Sequence, residues 1–116
     1  MNSKQKGKRG ELELAAKLRE HGYDARRGQQ YEGSSDSPDV LGIPGLHIEC
    51  KRVEALSLYD AVAQAHRDAS PEDTPVVMHR RNGKPHHPLP WLAILELDDF
   101  LLLYRELEML RKKHVE

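Results

Sequence analysis

The feature that most constrains the fold is a pair of short apolar segments, "PDVLGI" at residues 38–43 and "LHIECKR" at residues 46–52, separated by a Pro-Gly dipeptide. Proline followed by glycine is typical of a tight turn. The two segments are therefore predicted to be neighbouring β-strands. Because side chains alternate along a strand, Glu49 and Lys51 should project together from one face, with Cys50 on the opposite face.

The remaining segments supply the helices and strands of one domain of 116 residues. "GELELAAKLREHG" has apolar residues at helical spacing, which predicts a helix with Glu11 at the head of its core-facing stripe. The predicted order is α-β-β-β-α-β-β-α, an α/β or α+β fold with a central mixed sheet flanked by helices. The predicted helices cover residues 10–22, 57–69 and 98–114, and the predicted strands cover residues 23–27, 38–43, 46–52, 74–80 and 91–97.

The last predicted helix is apolar on more than one side. It starts with two aspartates, Asp98 and Asp99, and either of them can cap it. Three consecutive leucines at 101–103 place apolar groups outside the main stripe. Complete burial in a small core or contact with a partner subunit would each account for this pattern. The predicted stripe consists of Phe100, Leu103, Tyr104, Leu107 and Leu110.

Composition excludes several classes of protein. The single cysteine excludes an internal disulfide framework and a cysteine-built zinc site, which favours a reducing, intracellular setting. No apolar run approaches the roughly 20 residues that span a bilayer. The first ten residues lack the apolar core of a signal peptide. These observations favour a cytoplasmic protein without a membrane partner.

Positive charge is concentrated in two segments, although the formal net charge is −1. Residues 1–10 contain four basic side chains and residues 79–87 contain three, with no acid in either segment. Each segment is either a phosphate-binding patch or simply a solvated terminus or loop. Residues 1–7 are expected to form a basic arm that could be flexible. The predicted phosphate contacts are Lys6, Lys8, Arg9, Arg80, Arg81 and Lys84.

Acidic side chains near the two central strands predict a metal centre. A turn between the strands would bring Asp39 beside Glu49, and like charges that close repel unless a cation lies between them. Mg²⁺ prefers oxygen ligands and keeps several waters. The candidate ligands are therefore Asp39, Glu49, the backbone carbonyl of Cys50, and Glu11. Lys51 would orient the attacking water or stabilise charge on a phosphate. The alternative is surface ion pairing along a hairpin.

The residues Pro38-Asp39 and Glu49-Cys50-Lys51 resemble the signature of the PD-(D/E)xK nuclease superfamily. The upstream segment "GKRGELELAAKLREHGYDARR", which contains Glu11, resembles the first motif of the archaeal and phage Holliday-junction resolvase group within that superfamily. Gln64 in "AVAQA" is similar to the helix glutamine often found after the lysine. The likeness covers about residues 7–70. The long "RNGKPHHPLP" loop and the apolar last helix lie outside the signature.

The resemblance implies a restriction-endonuclease-like core and DNA cleavage that depends on Mg²⁺, with Mn²⁺ able to substitute. It implies that Asp39 and Glu49 bind the metal, that Lys51 is the catalytic lysine, and that Glu11 and Gln64 are accessory catalytic residues. For the resolvase group it also implies branched DNA as substrate and a homodimer, located in the host cytoplasm if a phage encodes the chain. Two alternatives stay open: a nicking, flap-type or restriction-like nuclease, and a nuclease-derived domain that binds DNA without cutting it.

Several other polar residues have either a functional or a purely structural interpretation. Ser34 and Ser35, in the Gly/Ser-rich loop before the second strand, would contact the DNA backbone or only provide flexibility. Arg52 is a further candidate for DNA binding. His47 shares the face of Glu49 and would touch substrate or simply belong to the strand. Cys50 is better explained by core packing than as a nucleophile. A zinc site at the adjacent histidines 86–87 is disfavoured because no other ligand pair lies nearby.

Overall fold

The computed structural model describes residues 3–28 and 37–115, with the backbone alone described for residues 3–6. The order of elements is α-β-β-β-α-β-β-α, which confirms the predicted order and the α/β class. A five-stranded mixed sheet with flanking helices is consistent with a restriction-endonuclease-like core. The elements are α1 (Ser3–Glu20), β1 (Arg26–Arg27), β2 (Val40–Leu41), β3 (Leu46–Lys51), α2 (Leu58–Asp68), β4 (Thr74–His79), β5 (Leu92–Ile94) and α3 (Leu97–Val115).

The strands lie in the sheet in chain order, β1-β2-β3-β4-β5. Strands β3 and β4 are parallel, and every other neighbouring pair is antiparallel. The antiparallel pair β2–β3 is joined by the predicted turn, where Gly45 has a φ of 85° that favours glycine. The parallel pair needs a crossover, and α2 provides it. The central strand β3 therefore lies between the turn and the crossover.

The sheet separates two apolar clusters because its side chains alternate between faces. On one face, α1 buries Leu14 and Ala15 against Val40 and Ile48. On the other face, α2 buries Ala61 and Ala65 against Val77. The predicted core-facing stripe of the first helix is therefore present. Glu49 and Lys51 project from the α2 face, since the adjacent Ile48 belongs to the α1 cluster.

Complete burial in the core, one of the two explanations for the apolar last helix, is wrong for the part of the chain that the structure describes. None of the residues of α3 is buried by any part of the chain that the structure describes. The five predicted stripe residues are between 38% and 58% exposed. An apolar stripe shows that a helix face needs a partner, but it does not say where that partner is.

Several element boundaries also differ from the predicted ones. Helix α1 begins at Ser3, so residues 3–7, expected to be an arm, are helical in this structure. Helix α3 begins at Leu97, and the Phe100 N–H donates to the Glu96 carbonyl. Asp98 and Asp99 therefore lie inside the first turn and do not cap it, although a carboxylate is favourable there. None of the described helices is long and apolar enough to cross a membrane.

Candidate active site

Asp39 and Glu49 face each other across the β2–β3 pair. Val40 is paired with Ile48, and the Asp39 N–H donates to the Ile48 carbonyl at 2.8 Å, so the next position pairs Asp39 with Glu49. Both residues are buried, with exposures of 8% and 3%. The two carboxyl groups interact directly by hydrogen bonding and charge. The turn at Pro44-Gly45 thus brings together the two acids that the sequence singled out.

Two backbone contacts fix the position of Asp39. The Cys50 N–H donates to Asp39 Oδ2 at 2.8 Å, which orients the carboxylate towards β3. The Gly28 N–H donates to the Asp39 carbonyl at 2.8 Å, which ties the end of β1 to the same residue. A Cβ atom at Gly28 would collide with the Pro38 carbonyl oxygen, so this close approach requires glycine.

The buried carboxyl groups of Asp39 and Glu49 need a proton or a cation to offset their charge. The pKa of Glu49 is raised to about 9, most strongly by burial and also by the charge and hydrogen bond of Asp39 and the charge of Asp68, while Lys51 opposes the rise. Two neighbouring buried carboxylates are stable together only when positive charge is shared between them. The oxygen donors of Asp39 and Glu49 therefore suit a hard divalent cation such as Mg²⁺.

His47 contacts Glu49 from the same strand face. Its Nε2 atom shares a 2.8 Å hydrogen bond with Glu49 Oε1, and the residue is only 2% exposed. This burial excludes the direct substrate contact that the sequence left open for His47. Strand alternation correctly placed the two side chains on one face. No sequence pattern indicates the hydrogen bond itself.

Lys51 and Gln64 are also brought together. The Lys51 Nζ atom donates to Gln64 Oε1 at 3.2 Å, so the ammonium group is held from α2. Lys51 lies on the same face as Glu49 and lowers the pKa of that acid, although less than burial raises it. Lys51 and Gln64 were predicted as site residues from separate segments of the sequence, and they form a direct hydrogen bond in the structure.

Glu11 reaches the same group of charges from α1. The Arg27 Nε atom donates to Glu11 Oε1 at 2.7 Å. Burial and the charge of Asp39 raise the pKa of Glu11, and Arg27 opposes this shift. Glu11 is thus electrostatically coupled to Asp39. Arg27 was not among the predicted site residues, since nothing in its spacing links it to the first helix.

The Cys50 thiol packs against the α1 cluster, away from the acidic pair. Burial raises the pKa of this thiol, with the charges of Asp39, Glu11 and Glu13 adding to the rise. A thiol of that kind is a poor nucleophile, which agrees with a packing role. The proposed use of the Cys50 backbone carbonyl as a metal ligand stays a prediction.

The predicted DNA-binding residues divide into two groups. Arg52 and Arg80 are partly buried and paired with an acid, because Arg52 Nε donates to Glu13 Oε1 at 3.1 Å and Arg80 pairs with the same oxygen. The other predicted DNA-binding residues whose side chains the structure describes are exposed: Lys8, Arg9, Arg81 and Lys84. The Lys6 side chain, Ser34 and Ser35 lie outside the described residues.

A second polar cluster lies at the base of α3 and was not predicted. The His66 Nε2 atom is 3.1 Å from Glu96 Oε1 and 3.2 Å from Asp99 Oδ2. Together these three side chains are close enough to share one ion or proton. The cluster links α2 to the start of α3. His66 is 30 positions from Glu96 and 33 from Asp99, so no local pattern in the sequence indicates this contact.

Comparison with protein families agrees with this geometry. A family model described as archaeal Holliday junction resolvase (Hjc) matches residues 2–65, which is more than half of the chain. The matched region contains Glu11, Asp39, Glu49, Lys51 and Gln64. No curated protein and no solved structure matches the chain. The family match and the converging acids together show that this chain belongs to the archaeal Holliday junction resolvase family, within the PD-(D/E)xK nuclease superfamily.

Proposed function

We propose that this protein is a Mg²⁺-dependent endonuclease that hydrolyses phosphodiester bonds in branched DNA, with four-way junctions as the preferred substrate. The observation that carries the proposal is the buried cross-strand pair Asp39–Glu49 with Lys51 on the same face. Membership of a resolvase family supports the substrate class. Mn²⁺ is expected to replace Mg²⁺, because both ions accept carboxylate oxygen ligands.

Asp39 and Glu49 are proposed to hold the ion. When bound, Mg²⁺ lowers the pKa of a water molecule and neutralises charge on the phosphoryl oxygens. The Cys50 N–H keeps Asp39 oriented, and His47 keeps Glu49 oriented. Glu11 adds a third acid at the side of Asp39, and Arg27 keeps this carboxylate in place.

Lys51 is proposed to orient the attacking water and to offset negative charge as the phosphate is displaced. An ammonium group already positioned for the transition state loses little energy to reorganisation. Gln64 supplies this positioning, since its side-chain oxygen accepts a hydrogen bond from Lys51 Nζ. The amide has no charge, so it holds the lysine without neutralising it.

The test is a cleavage assay on a synthetic four-way junction, a flap and a linear duplex, each with and without Mg²⁺. Asp39→Asn should abolish cleavage and spare DNA binding, because the amide still accepts the Cys50 N–H but carries no charge. Lys51→Ala should lower the cleavage rate by about 100- to 1,000-fold. Matched controls are Asp24→Asn and Lys17→Ala, which change exposed side chains of the same types.

Each outcome of this assay decides between functions. Paired cuts in the junction with little cleavage of duplex support the proposal. Cleavage of flaps or duplex at the same rate as junctions would favour a flap-type, nicking or restriction-like nuclease. Junction binding without any Mg²⁺-dependent cleavage would identify a DNA-binding module instead. Cleavage by both Asp39→Asn and Lys51→Ala at the wild-type rate would refute the assigned roles.

A further inference from the structure

Three side chains with metal-binding atoms meet where the end of α2 contacts the start of α3. His66 belongs to the last turn of α2, Glu96 directly precedes α3, and Asp99 lies in the first turn of α3. One imidazole nitrogen and one oxygen of each carboxylate all lie within 4.8 Å of one another. This set, called the His66 cluster, shares no residue with the proposed reaction centre.

Hydrogen bonding does not satisfy the atoms of the His66 cluster. The His66 Nε2 atom is 3.1 Å from Glu96 Oε1 and 3.2 Å from Asp99 Oδ2, but a ring nitrogen carries at most one hydrogen. Nε2 and Asp99 Oδ2 are shielded from solvent, and neither has a hydrogen-bond partner in the part of the chain that the structure describes. The atoms are therefore close together without the alignment of a hydrogen bond. Buried polar atoms of this kind require an explanation, such as a bound ion.

We propose that the His66 cluster binds Zn²⁺ through His66 Nε2, Glu96 Oε1 and Asp99 Oδ2, with water as the fourth ligand. Ligand atoms at about 2.0–2.1 Å from a tetrahedral zinc ion lie about 3.3–3.4 Å apart. The two separations from Nε2 are close to this spacing. The Glu96 side chain is 54% exposed, so water can reach the fourth position.

The chemistry of the ligands favours a transition metal over Mg²⁺. Imidazole nitrogen is a good ligand for Zn²⁺, whereas Mg²⁺ prefers oxygen ligands. The two carboxylates offset both positive charges of the ion, so the cluster with a neutral imidazole and bound Zn²⁺ has no net charge. The pair Asp39–Glu49 offers only carboxylate oxygens. The two sites therefore differ in the ion that they prefer.

The backbone places two of the three ligands before an ion binds. Glu96 and Asp99 are three residues apart, and the Glu96 carbonyl accepts a hydrogen bond from the Phe100 N–H at 3.0 Å. Side chains three residues apart lie on the same side of a helix. Because one helical turn holds both acids, only His66 has to be supplied by another element. Such preorganisation lowers the entropic cost of binding.

Zinc in the His66 cluster fixes α3 to the rest of the molecule. None of the residues of α3 is buried by any described part of the chain, so apolar packing contributes little to the attachment of this helix. The metal joins its first turn to the last turn of α2. Helix α2 is itself packed on the sheet through Ala61 and Ala65. The direction of α3 relative to the sheet therefore depends on the ion.

Calorimetric titration of the full chain with Zn²⁺ alone tests this site. The starting chain carries Asp39→Asn, which removes one carboxylate of the acidic pair and leaves the His66 cluster intact. This chain should bind one Zn²⁺ ion tightly. His66→Ala in the same chain should weaken binding by at least about a hundredfold, because loss of a supporting contact alone weakens metal affinity by about 10- to 100-fold.

Each variant of the His66 cluster has a matched control. Asp99→Asn should weaken Zn²⁺ binding by at least about tenfold, since the amide is uncharged. Asp98→Asn, at an exposed position in the same turn, should change it less than about threefold. His114→Ala, at an exposed position of α3, is the control for His66→Ala. None of these four side chains is fully buried, so each variant should fold, and far-UV circular dichroism checks this.

Hydrogen exchange followed by mass spectrometry locates the ion. Zn²⁺ should slow amide exchange at the end of α2 and in the first turns of α3, and His66→Ala should remove this effect. Protection confined to residues 38–51 would place the ion at the acidic pair and overturn the proposal.

The titrations can also refute the site directly. Absence of Zn²⁺ binding, or equal affinity with and without His66→Ala, would show that the cluster is an ion pair between protonated His66 and two acids. Equal weakening by Asp98→Asn and Asp99→Asn would overturn the assigned ligands. None of these measurements depends on DNA cleavage, so failure of the proposed nuclease function would leave the zinc site standing.

Discussion

At the scale of single residues, Glu49 controls how the protein should respond to pH. Its pKa is raised to about 9 in the folded chain by burial and by Asp39, whereas the pKa of a glutamate in an unfolded chain is about 4.3. Between these values the folded state binds more protons than the unfolded state. The free energy of unfolding should therefore fall as the pH rises through this window.

We expect the melting temperature in EDTA to decline from about pH 5 to about pH 9, and Mg²⁺ to restore it most strongly at the alkaline end. Glu49→Gln should flatten the decline, because the amide does not titrate. Thermal unfolding followed by circular dichroism measures both effects. Glu72→Gln, at an exposed position, is the control. An equal slope in wild type and Glu49→Gln would show that another group sets the pH dependence.

His47 is expected to act as a positioning residue for Glu49. Its buried hydrogen bond at 2.8 Å restricts the carboxylate that we propose as a metal ligand. Loss of such a supporting contact typically weakens metal affinity by about 10- to 100-fold. His47→Ala should therefore raise the Mg²⁺ concentration for half-maximal cleavage, and His47→Gln should recover part of the loss. A lower maximal rate with unchanged Mg²⁺ dependence would contradict this role.

At the scale of elements, the close contact between β1 and β2 should be sensitive to a single methyl group. Gly28→Ala forces the Pro38 carbonyl away and displaces Asp39 with it. We expect a destabilisation of about 1–3 kcal/mol and a larger loss of cleavage than of DNA binding. Gly7→Ala is the matched change in open space on α1, where alanine should stabilise the helix by about 0.5–1 kcal/mol. Chemical unfolding and cleavage rates measured together test this expectation.

The elements also show what a sequence can reveal about this fold. The Pro-Gly turn and strand alternation were sufficient to predict that Asp39 lies beside Glu49, because both signals act over a few residues. The stripes of α1 and α3 have the same periodicity, yet only the stripe of α1 is buried. Periodicity identifies an apolar face and does not identify what covers it. The pairing of Glu13 with Arg52 and Arg80 depends on packing between distant segments, so spacing could not predict it.

At the scale of the whole molecule, DNA binding should depend on the exposed basic side chains and on salt. Each phosphate contact that is lost should reduce the slope of log affinity against log salt concentration by about one. Lys84→Ala should therefore reduce the slope, while Lys17→Ala, which removes a lysine paired with Glu20, should not. Arg52→Ala should mainly lower stability, since Arg52 is tied to Glu13. Titrations by fluorescence anisotropy at several salt concentrations provide the slopes.

Helix α2 has a consequence for the molecule as a whole. Gln64 holds the lysine of the proposed reaction centre, and His66, two residues later, holds the start of α3. One short segment of α2 therefore positions both the ammonium group of Lys51 and the start of α3. A displacement of α2 would therefore move the lysine of the proposed reaction centre and the start of α3 together.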